Sequence, residues 1–243
     1  MSVILIVGGA SGSGGTLARH MRDKGDSVVI ADPAATECMA GGPRGRLFAM
    51  DCDLLDPQSP DKILAFCHQQ TGPPDGLFIN MNRSSEAPLN EWNATLFDCD
   101  LLANLTMPFL FARAVALDMQ KRRRGAIVLT SSTAGVNGSA GKAPFHAAKA
   151  AMSGLTKALA DELGPYNIRV NCLLPGWINS PFGRPDKQGM PAIPLGRLGE
   201  MDDVAAAAAF LFAEPYIHGT DLVVDGGFTA AGTRQTHNNS VTI

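Results

Sequence analysis

The sequence predicts an α/β fold: a doubly wound, seven-stranded parallel sheet with helices on both faces. Three observations predict it. Short, β-branched apolar runs recur along the chain and stop at glycine or polar residues, the pattern of strands buried on both faces. Longer segments with helical periodicity alternate with them, and that order builds a parallel sheet whose crossovers lie on either side. The chain has 243 residues and is 45% hydrophobic, enough for one large core and incompatible with a disordered chain.

The elements follow in order. Residues 3–7 (Val-Ile-Leu-Ile-Val) read as a strand, and 15–24 as a helix. Residues 27–31 and 47–50 are the next two strands, followed by a helix over 60–70 and a strand over 76–79. A long helical pattern covers 90–119, then a strand at 126–130 and a helix at 144–163. Strands at 169–173 and 222–224 flank a helix at 201–213, whose run Ala205–Ala209 suits close helix packing. No linker or repeat divides the chain, so residues 1–228 read as one domain and 229–243 as a polar tail.

Lys+Arg 20 against Asp+Glu 23 gives a net charge of −3, which argues against nucleic acid as a partner. Lys121-Arg122-Arg123-Arg124 is read as a solvated helix end favoured by the dipole rather than a phosphate patch. No uninterrupted apolar stretch reaches the ~18–20 residues of a membrane span, and Met1–Val7 lacks the basic leader of a signal peptide. Five scattered cysteines without metal-ligand spacing read as reduced thiols of a cytoplasmic protein.

Chemistry begins directly after the first strand, at Gly8-Gly9-Ala10-Ser11-Gly12-Ser13-Gly14-Gly15. Glycines between a buried strand and a helix let backbone N–H groups approach a pyrophosphate, which the helix N-terminus also favours. Gly12 and Gly14 are the expected positions of closest approach. Asp32 ends the second strand 18 residues after Gly14, where a carboxylate accepts from ribose hydroxyls and repels a 2′-phosphate. The following Pro33-Ala34-Ala35 supplies no arginine, so NAD is expected over NADP. The competing reading of Asp32 is a turn cap. Asp53, after the third strand, similarly reads either as an adenine contact or as a turn aspartate.

These motifs resemble the short-chain dehydrogenase/reductase family, from residue 3 to about residue 228. The family's Thr-Gly-x-x-x-Gly-x-Gly appears as Val7-Gly8-Gly9-Ala10-Ser11-Gly12-Ser13-Gly14, its helix asparagine as Asn104, and its strand-end serine as Ser132. Its Pro-Gly motif is Pro175-Gly176-Trp177-Ile178-Asn179-Ser180, with further matches at Pro194–Gly199 and Val224–Gly227. The resemblance implies a Rossmann-type fold, an alcohol or ketone substrate and a homotetramer. It also implies cofactor contacts at Gly8, Ser11, Gly12, Ser13, Gly14, Asp32, Asp53, Leu54, Asn80, Lys149, Pro175, Gly176, Ile178 and Ser180.

Three positions depart from the pattern. Thirteen residues after Ser132, the family's Tyr-x-x-x-Lys reads Phe145-His146-Ala147-Ala148-Lys149, so lysine is present and the phenol is missing. Asn-Asn-Ala-Gly reads Ile79-Asn80-Met81-Asn82, with Asn82 able to take a glycine's left-handed conformation. The motif's first threonine is Val7.

The resemblance makes Asn104, Ser132, Phe145 and Lys149 the catalytic set. A phenyl ring positions but transfers no proton, a loss of ~10²–10⁴-fold unless another group replaces it. The replacements are Ser132 relaying to Lys149, His146, or a substrate hydroxyl. His146 is rotated about 100° from Phe145 on the helix and is expected to face elsewhere. Trp177 and Ile178 read as neighbours of the nicotinamide or as ordinary core. The short, proline-bearing segment between Ser180 and Pro194 reads as a stiff lid. Three functions follow: an NAD-dependent alcohol/ketone oxidoreductase, a catalytically silent nucleotide-binding subunit, and a non-redox enzyme using the same pocket.

Overall fold

The computed structural model describes residues 2–36, 46–180 and 192–231. Seven parallel strands form one sheet, in the order β3-β2-β1-β4-β5-β6-β7. They are β1 (Val3–Val7), β2 (Ser27–Asp32), β3 (Leu47–Asp51), β4 (Gly76–Ile79), β5 (Gly125–Thr130), β6 (Ile168–Pro175) and β7 (Asp221–Val224). The helices are α1 (Gly12–Asp23), α2 (Ser59–Gln70), α3 (Ala94–Leu101), α4 (Met107–Arg122), α5 (Ala143–Leu163) and α6 (Met201–Ala213).

Strand alternation divides the core into two layers. Ile4 and Ile6 of β1 pack with Leu17 and Met21 of α1 and with Val204, Ala205, Ala208 and Ala209 of α6. Leu5 and Val7 face the other way, onto Ile63 of α2, Phe111 and Val115 of α4, and Met152 and Leu159 of α5. The strands are thus apolar over most of their length because both faces are covered. The alanine run of α6 lets that helix lie close against α1 and the sheet.

The strand order reverses between β1 and β4, the neighbours on either side of which run β2-β3 and β5-β6-β7. Ile4 to Val7 pair with Gly76 to Ile79 across this point. The loops at the carboxyl ends of β1 and β4 must part here, one toward each face, and leave a crevice.

Two expected elements differ. The segment expected as one helix over 90–119 is a 3-10 turn at Leu89–Glu91, then α3, a π turn at Leu102–Thr106, and α4. Asn93 accepts from the Leu96 amide at 3.0 Å and so starts α3 late. The run Ala94–Arg122 is long and apolar enough to cross a membrane by length and composition. Over half of its most apolar part is buried inside the fold, so that apolarity serves the core. Meanwhile α1 opens at Gly12, three residues before its expected start, because the glycine loop feeds its first turn: the Gly15 amide bonds the Ser11 carbonyl at 3.2 Å.

The basic run at the end of α4 is more than a solvated end. Arg122 and Arg124 both reach Asp75, at 3.2 and 2.6 Å, and Arg122 also bonds Asp118. They tie the helix to the start of β4.

Candidate active site

Gly8 takes φ +80°, and a Cβ there would lie 2.5 Å from the Asn80 carbonyl oxygen. A Cβ on Gly14 would meet the Gly8 carbonyl at 2.5 Å and the Gly9 Cα at 2.9 Å. The loop therefore folds back on itself and on the β4 end with no room for side chains. Asn80 fastens it from β4, donating Nδ2–H to the Gly8 carbonyl at 3.2 Å and accepting from Ser13 Oγ at 3.3 Å. Ser11 sits in extended conformation at the N-cap of α1. Gly12, at φ +61°, has only the Met201 sulfur and methyl near its missing Cβ. A cradle so emptied of side chains, at a helix N-terminus, fits a pyrophosphate.

Asp32 lies at the end of β2 and closes the rear of the loop. Its Oδ2 accepts from the Ala10 amide at 3.2 Å and its Oδ1 from the Ala34 amide at 3.1 Å. These backbone bonds cap the turn, as one of the two readings expects, and hold the carboxylate in place. Asp53 is exposed and caps its own turn through the Leu55 amide at 2.9 Å, while Leu54 beside it is buried. Across the crevice, Pro175 ends β6. A Cβ on Gly176 would lie 2.6 Å from Asp225 Cβ. Ile178 bridges to Gly199 and joins the inner apolar layer. Trp177 is no core residue: it is 42% exposed and stacks edge-on with Phe228 at 6.5 Å. Ser180 closes the described part of this wall. The expected lid beyond it and most of the expected tail lie outside the described residues.

Lys149 forms the floor. It is 1% exposed, and its Nζ donates to the Met81 carbonyl at 3.0 Å and the Thr130 carbonyl at 3.4 Å, joining β4 to β5. The Phe145 ring stands over the ammonium with its centroid at 5.7 Å, as one helical turn requires. Burial pushes the Lys149 amine down to about 8. The adjacent Cys172 thiol is the smaller, opposing influence, and burial pushes that thiol itself up to about 12.

Ser132 lies two residues beyond the end of β5, in extended conformation, and accepts the Ala134 amide at 3.1 Å. That bond leaves its O–H to donate elsewhere. Asn104 sits in the π turn, fully buried. Its amide donates to the carbonyls of Arg83 (2.7 Å) and Asp100 (2.9 Å) and accepts from the Arg83 N–H at 3.1 Å. Its side chain therefore pins the loop after β4.

Asp100, also fully buried, completes that clamp. It accepts from Ser85 Oγ at 2.7 Å, the Ser85 amide at 3.0 Å and Arg83 Nε at 3.2 Å. Asp100 was missed by motif reasoning, and its only sequence signal was a charge on the apolar face of a helix. Asn82 takes no left-handed conformation; among the described residues only Arg123 and Asn167 do so without being glycine. The clamp on Arg83 supplies the turn that a glycine would otherwise make. Neither tyrosine enters the crevice: Tyr216 is fully exposed, and Tyr166 stacks under Arg123 at 5.8 Å.

A nucleotide cradle at the reversal point, with serine and lysine at the ends of β5 and on α5, defines a dinucleotide-type oxidoreductase site. A family model described as enoyl-(acyl carrier protein) reductase matches residues 8–229. The chain belongs to the short-chain dehydrogenase/reductase family and is an oxidoreductase.

Among its relatives, the 3-oxoacyl-[acyl-carrier-protein] reductase MabA of Mycobacterium tuberculosis is 30% identical over 92% of this chain and 91% of its own. The trans-4-hydroxycyclohexanecarboxylate dehydrogenase of Sinomonas cyclohexanicum is 34% identical over 94% and 93%. The crystal structure of levodione reductase superposes with TM-score 0.88 at 28% identity, over 95% of this chain and 98% of that one. ElxO with NADP bound gives 0.87 at 26% identity, over 95% and 100%.

Proposed function

We propose that this chain is an NAD(H)-dependent oxidoreductase that interconverts a secondary alcohol and a ketone, with Ser132 and Lys149 carrying the proton that a tyrosine carries elsewhere in the family. One observation supports it above the rest: the Gly8–Gly14 cradle is intact to the backbone, with Asp32 fixed directly behind it. In this reading Gly8, Ser11, Gly12, Ser13 and Gly14 receive the pyrophosphate, and Asn80 holds their loop in shape. Asp53 and Leu54 border the adenine, while Pro175, Gly176, Ile178 and Ser180 border the nicotinamide. The related fold of ElxO carries NADP, so the preference is decided locally. Asp32 faces the ribose with a negative charge, and residues 33–36 add no base, which favours NAD.

When bound, the dinucleotide supplies the hydride donor or acceptor. The chain's own residues then handle the oxygen and its proton. Ser132 donates its O–H to the substrate oxygen, since the Ala134 amide already occupies one of its lone pairs. Lys149 has two of its three N–H bonds committed to Met81 and Thr130 and keeps one site for exchange. With its amine pushed down to about 8, it is poised to take a proton during alcohol oxidation and to return one during ketone reduction. Phe145 packs over its ammonium, with the ring centroid at 5.7 Å. Exposed Phe109 and Leu117 on α4 and Phe210 on α6 supply apolar faces suited to a homotetramer.

NADH and NADPH titrations followed by Trp177 fluorescence test the cofactor part, and tighter NADPH binding would overturn it. An alcohol and ketone panel with the natural chain, Lys149→Ala and Phe145→Tyr tests the rest. Turnover by the natural chain that disappears in Lys149→Ala is the expected result. Turnover that survives it refutes the relay. NADH binding with activity only in Phe145→Tyr would establish the silent-subunit reading instead.

A further inference from the structure

His146 lies beside Phe145 on α5 and turns away from the crevice, yet every polar atom of its ring is used. Nδ1 is 2.7 Å from both the Ala134 and Asn137 carbonyls. Carbonyls only accept, so this nitrogen carries the ring hydrogen. Nε2 receives the Ser139 N–H at 3.1 Å and lies 2.7 Å from Ser139 Oγ. An N–H donor requires that Nε2 be a bare acceptor. The ring is therefore the neutral Nδ1–H tautomer, held from both sides by one short loop.

That loop is the continuation of the catalytic serine. Ser132 caps the 3-10 turn Thr133–Gly135, and Ala134 both donates to Ser132 Oγ and accepts from His146. The same ring meets Phe145 edge-on, at 6.0 Å between centroids. One side chain thus braces the serine turn and the phenyl ring that covers Lys149.

We infer that His146 is a positioning residue for Ser132, acting in its Nδ1–H tautomer by holding the loop from Ala134 to Ser139. The role rests on Ser132 contacting the substrate oxygen. Without the ring, the Ala134 and Asn137 carbonyls lose their donor and the Ser139 amide loses its acceptor.

Two measurements on the whole chain test this without requiring turnover. Long-range ¹H–¹⁵N spectra of the imidazole at neutral pH should place the hydrogen on Nδ1; a hydrogen on Nε2 overturns the inference. Hydrogen exchange should show the protection factor of the 133–140 segment falling roughly tenfold in His146→Ala, with strand β4 unchanged, and partly recovering in His146→Asn, which keeps an N–H donor in place of Nδ1–H. Protection unchanged in His146→Ala, or equally low in His146→Asn, refutes the inference. Failure of NADH binding in the natural chain would instead count against the oxidoreductase reading. Where turnover is measurable, His146→Ala should lose kcat without loss of NADH affinity.

Discussion

Replacing Lys149 by methionine changes how stability depends on pH, and the size of the change follows from burial. In the unfolded chain this amine sits near its ordinary 10.5, and in the fold it is pushed down to about 8. Between those values the unfolded state holds the proton more tightly, so stability rises with pH. The penalty for burying the ammonium is fully present below about 8 and has disappeared above 10.5. A shift of about 2.5 units corresponds to roughly 3 kcal/mol at most. Integrating the two titrations between about pH 7 and pH 9.5 recovers about 2 kcal/mol of it.

Lys149→Met keeps the length of the side chain and removes the titration, at the cost of two bonds to the Met81 and Thr130 carbonyls. That cost is the same at every pH. Urea unfolding, followed by tryptophan fluorescence without cofactor, should therefore show natural chain and variant converging or crossing as pH rises. The natural chain should gain about 2 kcal/mol relative to the variant. Parallel stability curves would refute the reasoning, because they would mean that the buried lysine keeps a normal affinity for its proton.

Three further outcomes are expected. Phe145→Tyr places a phenol one turn from Lys149 and should raise turnover on an accepted substrate by less than the ~10²–10⁴-fold of an unreplaced acid–base group, read as kcat with little change in NADH affinity. Asp32→Ala should weaken NADH and strengthen NADPH, so that the ratio of their dissociation constants shifts by at least about tenfold, a change of roughly 1.4 kcal/mol. Gly14→Ala forces a methyl to 2.5 Å from the Gly8 carbonyl. It should abolish dinucleotide binding in the same titration and lower the unfolding free energy by about 1–3 kcal/mol.

The strands were readable because the sheet is covered on both sides: most were apolar runs, although Arg169 and Asn171 interrupt the sixth, and all seven fall where they were expected. The cradle was readable for a similar reason, since only glycine fits where Gly8 and Gly14 lie against backbone. What periodicity missed is polar and non-local. The break in the long helix depends on Asn104 and Asp100 bonding to Arg83 and Ser85, some fifteen to twenty-one residues away. No local pattern records such a contact. His146 could be placed off the active face by its angle on the helix, but its four loop contacts come from residues 134–139 folding back over it.

The missing phenol and the displaced lysine titration have a common physical origin. A lysine surrounded by water would stay near 10.5 and be fully protonated at neutral pH, useless as a base. Lys149 departs from that because nothing wet reaches it: the carbonyls of Met81 and Thr130 lie on one side and the Phe145 ring on the other. The phenyl ring that removes the usual proton donor therefore helps to keep the amine dry, and dryness is what brings the amine toward neutrality. A smaller residue at 145 would lose both functions, since it would neither transfer a proton nor exclude water. Phenylalanine keeps the second. Phe145→Ala should return the Lys149 titration toward its ordinary value, visible as a flatter rise of stability between about pH 8 and 10.5.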